Sequence, residues 1–196
     1  MSKNSTLDFV QDNSLAIGEK MRALIPHLDG VYDRVGNGKA GIIAQVSATV
    51  DNYNERYIND KATCTKGCAF CCHDNIAVTK LEMDRINWYI KKNKIVVNKE
   101  LYDLQNKKSG KEFMKLPFAD RRCMMLDSSN VCMIYEVRPL ICRQYHSTSP
   151  PLQCLPDENG KIDTGILRSI EIYALMTAVV GMEANEHTVL ELHNEI

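Results

Sequence analysis

The chain has 196 residues, 44% of them hydrophobic, and its 24 basic and 25 acidic side chains give a net charge of -1. A chain of this length buries a core without cysteine cross-links, and its interspersed charges disfavour nucleic acid and anionic membranes as partners. Because no apolar run reaches signal-peptide length or the roughly 20 residues of a membrane span, we expect a cytoplasmic protein without membrane association.

Two amphipathic helices are predicted ahead of the first cysteine. The first runs from Ser14 to the turn signal Asp29-Gly30, with apolar residues at helical spacing: Ile17, Met21, Leu24 and Leu28. The second ends at Asn59-Asp60 and carries the apolar stripe Ile43, Val46, Val50, Tyr53 and Tyr57. One-sided apolar stripes are ordinary core faces, so both helices are predicted to be a packed scaffold.

Four of the eight cysteines follow within nine residues, in C64-T-K-G-C68-A-F-C71-C72. In a reducing compartment, thiols this dense indicate metal binding or redox chemistry rather than disulfides. Short spacing lets Cys64, Cys68 and Cys71 converge, and Gly67 permits a tight turn between them. Adjacent Cys71 and Cys72 are expected to point apart, so that one of them serves a second metal or none.

The next segment is predicted to contain a short strand at Asn75–Thr79 and then a helix. Thr79-Lys-Leu-Glu82 is a capping-box pattern that starts this helix, whose buried stripe is Met83, Ile86 and Ile90. A polar, lysine-rich helix or loop from about Asn98 to Lys111 is predicted to be a solvated face.

Regular periodicity fades between Leu116 and Pro156, where turn residues accumulate and the remaining cysteines are found: Cys123, Cys132, Cys142 and Cys154. Metal ligation would supply order to such an irregular segment. A last helix, Ile166 to Met182, is apolar on most sides and is predicted to be buried.

The predicted fold is therefore mainly α, a single helical domain with little β structure. Residues 1–60 form its helical N-terminal part, residues 61–156 its irregular, metal-organised cysteine-cluster region, and residues 157–196 its C-terminal helix.

Three kinds of centre suit these thiols. Zinc takes four ligands, so eight cysteines suffice for two sites, and a 4Fe-4S cluster takes four thiolates or three. The spacing C-x-x-x-C-x-aromatic-C is also that of radical S-adenosylmethionine enzymes, but the strand-helix alternation and glycine-rich stretch of those enzymes are not found. His73 and His146 are candidate imidazole ligands. Metal-free redox chemistry at Cys68-Ala-Phe-Cys71 ranks last, because no thioredoxin-like pattern surrounds it.

The segment C132-M-I-Y-E-V-R-P-L-I-C142-R, together with the upstream C-x-x-x-C-x-x-C-C, closely resembles the YkgJ family of zinc- or iron-chelating cysteine-cluster proteins. The resemblance spans residues 60 to 156. It implies a zinc or iron centre, with a 4Fe-4S cluster as one form. The expected ligands are Cys64, Cys68, Cys71, Cys72, Cys123, Cys132, Cys142 and Cys154.

A related cysteine motif occurs in flagellin lysine N-methylases, which use an iron-sulfur centre and S-adenosylmethionine. The resemblance thus implies two alternatives: a metal-binding protein, or an enzyme that modifies a peptide or protein substrate. No catalytic residue is identified for the second.

A centre of four thiolates carries a net charge near -2, which is costly to bury without surrounding cations. Arg138 and Arg143 bracket Cys142, and we expect both to lie beside the bound cofactor. Tyr135 is expected to pack its ring over the site.

Overall fold

The computed structural model describes residues 6–35, 39–157, 162, 164–182 and 189–194. Its helices are α1 (Thr6–Asp12), α2 (Ser14–Val35), α3 (Lys39–Tyr57), α4 (Lys80–Asn93), α5 (Lys99–Gln105), α6 (Gly110–Phe113), α7 (Leu140–Gln144) and α8 (Ile170–Met182). Its strands are β1 (Ala77–Thr79), β2 (His146–Ser147), β3 (Ile166–Leu167) and β4 (Val189–Glu191). Short 3-10 turns lie at Phe70–His73, Phe118–Arg121, Tyr135–Val137, Pro151–Cys154 and Leu192–Asn194. The prediction of a mainly helical chain with little β structure is confirmed.

A first core, here called the scaffold core, is formed mainly by α3 and α8, with α2 packed along α8. The predicted stripe of α3 is buried at Ile43, Val46 and Val50, whereas Tyr57 is exposed. Helix α2 continues past Asp29-Gly30, where it was predicted to end. Glycine costs a helix only about 1 kcal/mol, which is too little to end this one. The side chain of Leu28 lies outside the described part of the chain.

Helix α8 begins four residues later than predicted, at Ile170 rather than Ile166. The hydroxyl of Ser169 accepts a hydrogen bond from the backbone N–H of Ile172 at 3.3 Å, which caps the helix at this point. Ile166 and Leu167 instead form β3, which pairs antiparallel with β2. The rest of the helix is largely buried, as its apolar sequence predicts.

A second core, here called the cysteine-side core, joins α4 to the irregular region. Its buried residues are Val78, Met83, Ile86, Met124, Met125, Ile134, Val137 and Leu192, with Cys123 and Cys132 packed against them. The predicted capping box of α4 is present in full, with Thr79 and Glu82 bonded reciprocally. Strand β1 confirms the predicted short strand, and it pairs with β4, which the sequence did not predict.

None of the helices within the described ranges is long and apolar enough to cross a membrane.

Candidate metal centre

Two consecutive tight turns shape the first cysteine loop. The N–H of Cys68 donates to the carbonyl of Thr65 at 2.9 Å, and the N–H of Cys72 donates to the carbonyl of Ala69 at 3.0 Å. Within the first of these turns Gly67 has φ +85°, a left-handed conformation that residues with a Cβ rarely adopt. The expected role of Gly67 in the turn is therefore seen in the structure.

Cys71 and Cys72 lie in the 3-10 turn Phe70–His73, where Cys72 has φ -80° and ψ 18°. Interaction between the two thiols lowers the pKa of Cys71 and raises that of Cys72, to which burial adds. This mutual effect requires the two thiols to be near each other, although adjacent side chains were expected to point apart.

Three further cysteines come from later parts of the chain. The N–H of Cys123 donates to the carbonyl of Cys72 at 2.7 Å. Cys132 follows a tight reversal of the chain in which it pairs with Leu126. Cys142 lies on α7. Burial raises the pKa of Cys123 to about 12 and that of Cys142 well above its ordinary value, and the neighbouring thiols add to both shifts.

Cys64 and Cys154 lie near the β2–β3 ribbon. The N–H of Ser147, on β2, donates to the sulfur of Cys64 at 3.3 Å. The hydroxyls of Ser147 and Thr164 are 2.6 Å apart, and the hydroxyl of Thr164 lies 3.7 Å from the sulfur of Cys154. Burial raises the pKa of both Cys64 and Cys68, and the charges of Cys71 and Cys154 contribute to each shift.

All eight cysteines are free thiols, and they range from exposed Cys64 to buried Cys154. Within the described ranges, no three cysteine, histidine or carboxylate side chains are already placed around one metal ion. The residues fit zinc or iron by the chemistry of their side chains, because thiolates are preferred ligands of both metals. A bound cation would also offset the mutual repulsion of neighbouring thiolates.

Arg138 and Arg143, which were expected to lie beside the cofactor, hold the backbone next to Cys142. Arg143 is 1% exposed and donates to the carbonyls of Arg138 at 3.1 Å and Glu136 at 2.7 Å, and to the carboxylate of Asp51. Arg138 donates to the other carboxylate oxygen of Asp51 at 3.1 Å. Both guanidinium groups act to lower the pKa of Cys132, against the larger opposing effect of burial.

Tyr135 packs its ring against the guanidinium of Arg138, with 3.8 Å between the guanidinium carbon and the ring centroid. The residue is 60% exposed, so the ring covers the arginine on the solvent side. Tyr135 thus contacts Arg138, and it is the charge of Arg138 that acts on Cys132.

Sequence reasoning missed two acidic residues that shape the site. Asp51, on α3, binds both arginines, and nothing in its local sequence marks it. Glu82 is 6% exposed, and its carboxylate accepts a hydrogen bond from the N–H of Leu140 at 2.6 Å, at the start of the helix that carries Cys142. The capping box indicated the contact of Glu82 with Thr79 but gave no sign of this second contact.

The two candidate histidines lie in different surroundings. Nδ1 of His73 is 3.0 Å from the carbonyl of Ala69, and its ring stacks on Phe118 with 4.2 Å between centroids. His146 begins β2 opposite Leu167. Burial lowers the pKa of both histidines, which favours their neutral forms.

A family profile named CxxCxxCC, with the description "Putative zinc- or iron-chelating domain", matches residues 63–165. The matched segment covers 103 of the 196 residues, more than half of the chain, and it includes all eight cysteines. The chain belongs to this family. The resemblance found in the sequence is thereby confirmed. Membership of the CxxCxxCC family supports zinc or iron binding by this chain. No curated protein and no solved structure matches this chain.

Proposed function

We propose that this protein binds zinc or iron through its cysteine thiols, with Cys64, Cys68, Cys71, Cys72, Cys123, Cys132, Cys142 and Cys154 as the ligand set. The observation that carries the proposal is that free thiols from distant parts of the chain lie within electrostatic range of Cys71. The charge of Cys71 acts on five of them: Cys64, Cys68, Cys123, Cys132 and Cys142. Isolated cysteines behave as small buried apolar residues, but neighbouring thiols repel one another when ionised. Metal binding removes that repulsion.

The chemistry that a bound metal supplies here is cross-linking. The chain's own contribution is to hold each thiol near the others through backbone hydrogen bonds, such as that from Cys123 to Cys72. Arg138 and Arg143 supply positive charge close to Cys132. Since metal binding and folding are coupled in small thiolate sites, the irregular segment is expected to gain stability from the metal.

The family description favours metal binding over catalysis on a protein substrate, because it names zinc or iron chelation and no reaction. We therefore propose metal binding as the function and treat the methylase alternative as a further arm of the test.

Anaerobic purification followed by metal, sulfide and absorption analysis tests the proposal. We expect bound zinc or iron in stoichiometric amount. A broad absorption band at about 400 nm, with iron and acid-labile sulfide, would identify an iron-sulfur cluster. Colourless protein with zinc would identify a zinc centre. Protein that holds no metal, and takes up neither zinc nor iron under reducing conditions, would refute the proposal.

A matched pair of variants checks that the thiols are responsible. C68S removes a thiol from the first turn, whereas T65S changes a residue of the same turn whose carbonyl, rather than its side chain, bonds Cys68. C68S should lower the bound metal and T65S should leave it unchanged. Addition of S-adenosylmethionine and a lysine peptide to the iron-loaded protein tests the enzyme alternative, with methylated peptide as the readout.

A further inference from the structure

The β2–β3 ribbon presents a buried serine to the first cysteine loop. Ser147 is 2% exposed and lies opposite Ile166 in the ribbon. The next residue, Thr148, donates its N–H to the carbonyl of Gly165 at 2.8 Å, on the β3 side. Successive residues of an antiparallel pair alternate in the direction of their backbone hydrogen bonds. The N–H and carbonyl of Ser147 therefore face away from β3, towards another segment of the chain.

That other segment is Thr63-Cys64. The N–H of Thr63 donates to the carbonyl of Ser147 at 2.8 Å, and the hydroxyl of Thr63 donates to the same carbonyl at 3.1 Å. The N–H of Ser147 donates to the sulfur of Cys64 at 3.3 Å. In a regular β pairing this N–H would meet a carbonyl oxygen. Here a cysteine sulfur takes the place of that oxygen.

The side chain of Ser147 leads to a second cysteine. Its oxygen accepts the N–H of Ser149 at 3.0 Å, so its own proton is left to donate. The hydroxyl of Thr164, at 2.6 Å, is a nearer acceptor than the carbonyl of Ser149, at 3.3 Å. With Ser147 donating to Thr164, the proton of Thr164 remains for the sulfur of Cys154, 3.7 Å away. The two hydroxyls thus form a relay whose last donor is directed at Cys154.

Both sulfurs receive a donor that suits a metal-bound thiolate. A thiol sulfur is a weak acceptor, whereas hydrogen bonds to an ionised acceptor are about twice as strong as those between neutral groups. Cys64 is the first cysteine of the chain and Cys154 the last, yet the contacts of Ser147 lead to both. Hydrogen bonds from neighbouring groups commonly orient the ligands of protein-bound metals.

We propose that Ser147 and Thr164 are positioning residues for metal binding, which hold the sulfurs of Cys64 and Cys154 as ligands of a bound zinc or iron ion. Ser147 acts on Cys64 through its backbone N–H and on Cys154 through the hydroxyl of Thr164. This inference rests on the proposed metal binding and extends it to two residues that are not ligands themselves.

A set of threonine variants tests the relay. T164V removes the hydroxyl beside Cys154, whereas T164S keeps it. T148V is the matched control, because the hydroxyl of Thr148 lies in the same ribbon and donates to the carbonyl of Gly165 at 3.3 Å rather than to a sulfur. The affinity of each full-length protein for Zn²⁺, or for Fe²⁺ if the wild type takes up only iron, is measured against a competing chelator under reducing conditions. T164V should bind the metal about tenfold more weakly, and T164S and T148V should match the wild type.

A double-mutant cycle with C154S separates positioning of the sulfur from a general effect on the ribbon. T164V should weaken metal binding in the wild-type background and have no further effect in C154S. Equal losses in the two backgrounds, or equal affinities of T164V and T148V, would overturn the role of the relay and leave metal binding in place. If C154S does not fold, T164S decides, since failure to keep wild-type affinity would overturn the relay. A wild type that binds neither zinc nor iron would overturn both proposals.

The contact of Ser147 with Cys64 needs a spectroscopic test, because no side-chain substitution removes a backbone N–H. In the wild type labelled with ¹⁵N and loaded with ¹¹³Cd²⁺, we expect a scalar coupling between the amide proton of Ser147 and the metal nucleus. The hydrogen bond to the metal-bound sulfur of Cys64 would transmit it. The coupling should be absent in C64S. Cadmium-loaded wild type that shows no such coupling at Ser147 would overturn the role of this residue towards Cys64.

Discussion

Replacement of Glu82 by glutamine tests whether the buried carboxylate holds the cysteine-bearing helix in place. Its Oε2 accepts from the N–H of Thr79 at 2.9 Å and from the hydroxyl of Thr79 at 3.1 Å, and its Oε1 accepts from the N–H of Leu140 at 2.6 Å. Glutamine keeps one acceptor oxygen and turns the other into a donor. At least one buried backbone N–H then faces an NH₂ group and has no acceptor.

The expected loss in the free energy of unfolding follows from these contacts. A hydrogen bond to a charged group contributes about 1.5–3 kcal/mol, and a buried donor left unpaired costs a similar amount. E82Q should therefore lower the free energy of unfolding by about 3 kcal/mol. Urea unfolding followed by far-UV circular dichroism measures this loss. Metal content must be equal in all samples, because bound metal stabilises the folded state.

The second capping box of the chain provides the matched control. Glu112 accepts from the N–H and the hydroxyl of Ser109, both at 2.8 Å, in the same arrangement but at an exposed site. Glu112 has no contact like that of Glu82 with Leu140 in its described surroundings, so E112Q should lose much less stability. Equal losses for E82Q and E112Q, or a loss below about 1 kcal/mol for E82Q, would refute the reasoning.

Three other predictions concern charge, pH and backbone. R143K should lower the free energy of unfolding in urea by about 3 kcal/mol, because a lysine cannot donate to Asp51 and to two carbonyls at once; an unchanged urea midpoint would contradict the role of the guanidinium. The hydrogen bond from Lys20 lowers the pKa of Glu171 from 4.5 to about 2. Its ionised form thus stabilises the fold above about pH 4.5 and this contribution is lost as the pH falls towards 2. E171Q should flatten the stability profile in that window, and an unchanged slope would argue against the ion pair. G67A should cost about 1 kcal/mol, because residue 67 has a left-handed φ; a thermal melt identical to that of the wild type would contradict this strain.

Part of the fold and site follows from short-range patterns. The capping box at Thr79 and Glu82 starts α4 where the sequence predicts it, since both partners lie within one helical turn. The stripe of α3 is buried at Ile43, Val46 and Val50, because helical spacing puts these residues on one face. Glycine at position 67 adopts the left-handed turn for which its missing side chain suits it.

Other features were misjudged because a competing interaction decided them. The prediction ended α2 at Asp29-Gly30, but the helix runs to Val35, because a single glycine costs a helix only about 1 kcal/mol. It extended α8 back to Ile166, but pairing with β2 takes Ile166 and Leu167 into a strand. It expected the side chains of Cys71 and Cys72 to point apart, whereas each of the two thiols shifts the pKa of the other.

The sequence by itself determined the family, the helical class and the kind of donor atom, because these depend on residue types at short spacing. Only the tertiary structure decided which distant residues support the segments that carry the thiols. Glu82 contacts Leu140 across 58 positions, and Asp51 contacts Arg143 across 92. Contacts at such separations depend on the path of the whole chain, and neither periodicity nor capping encodes that path locally.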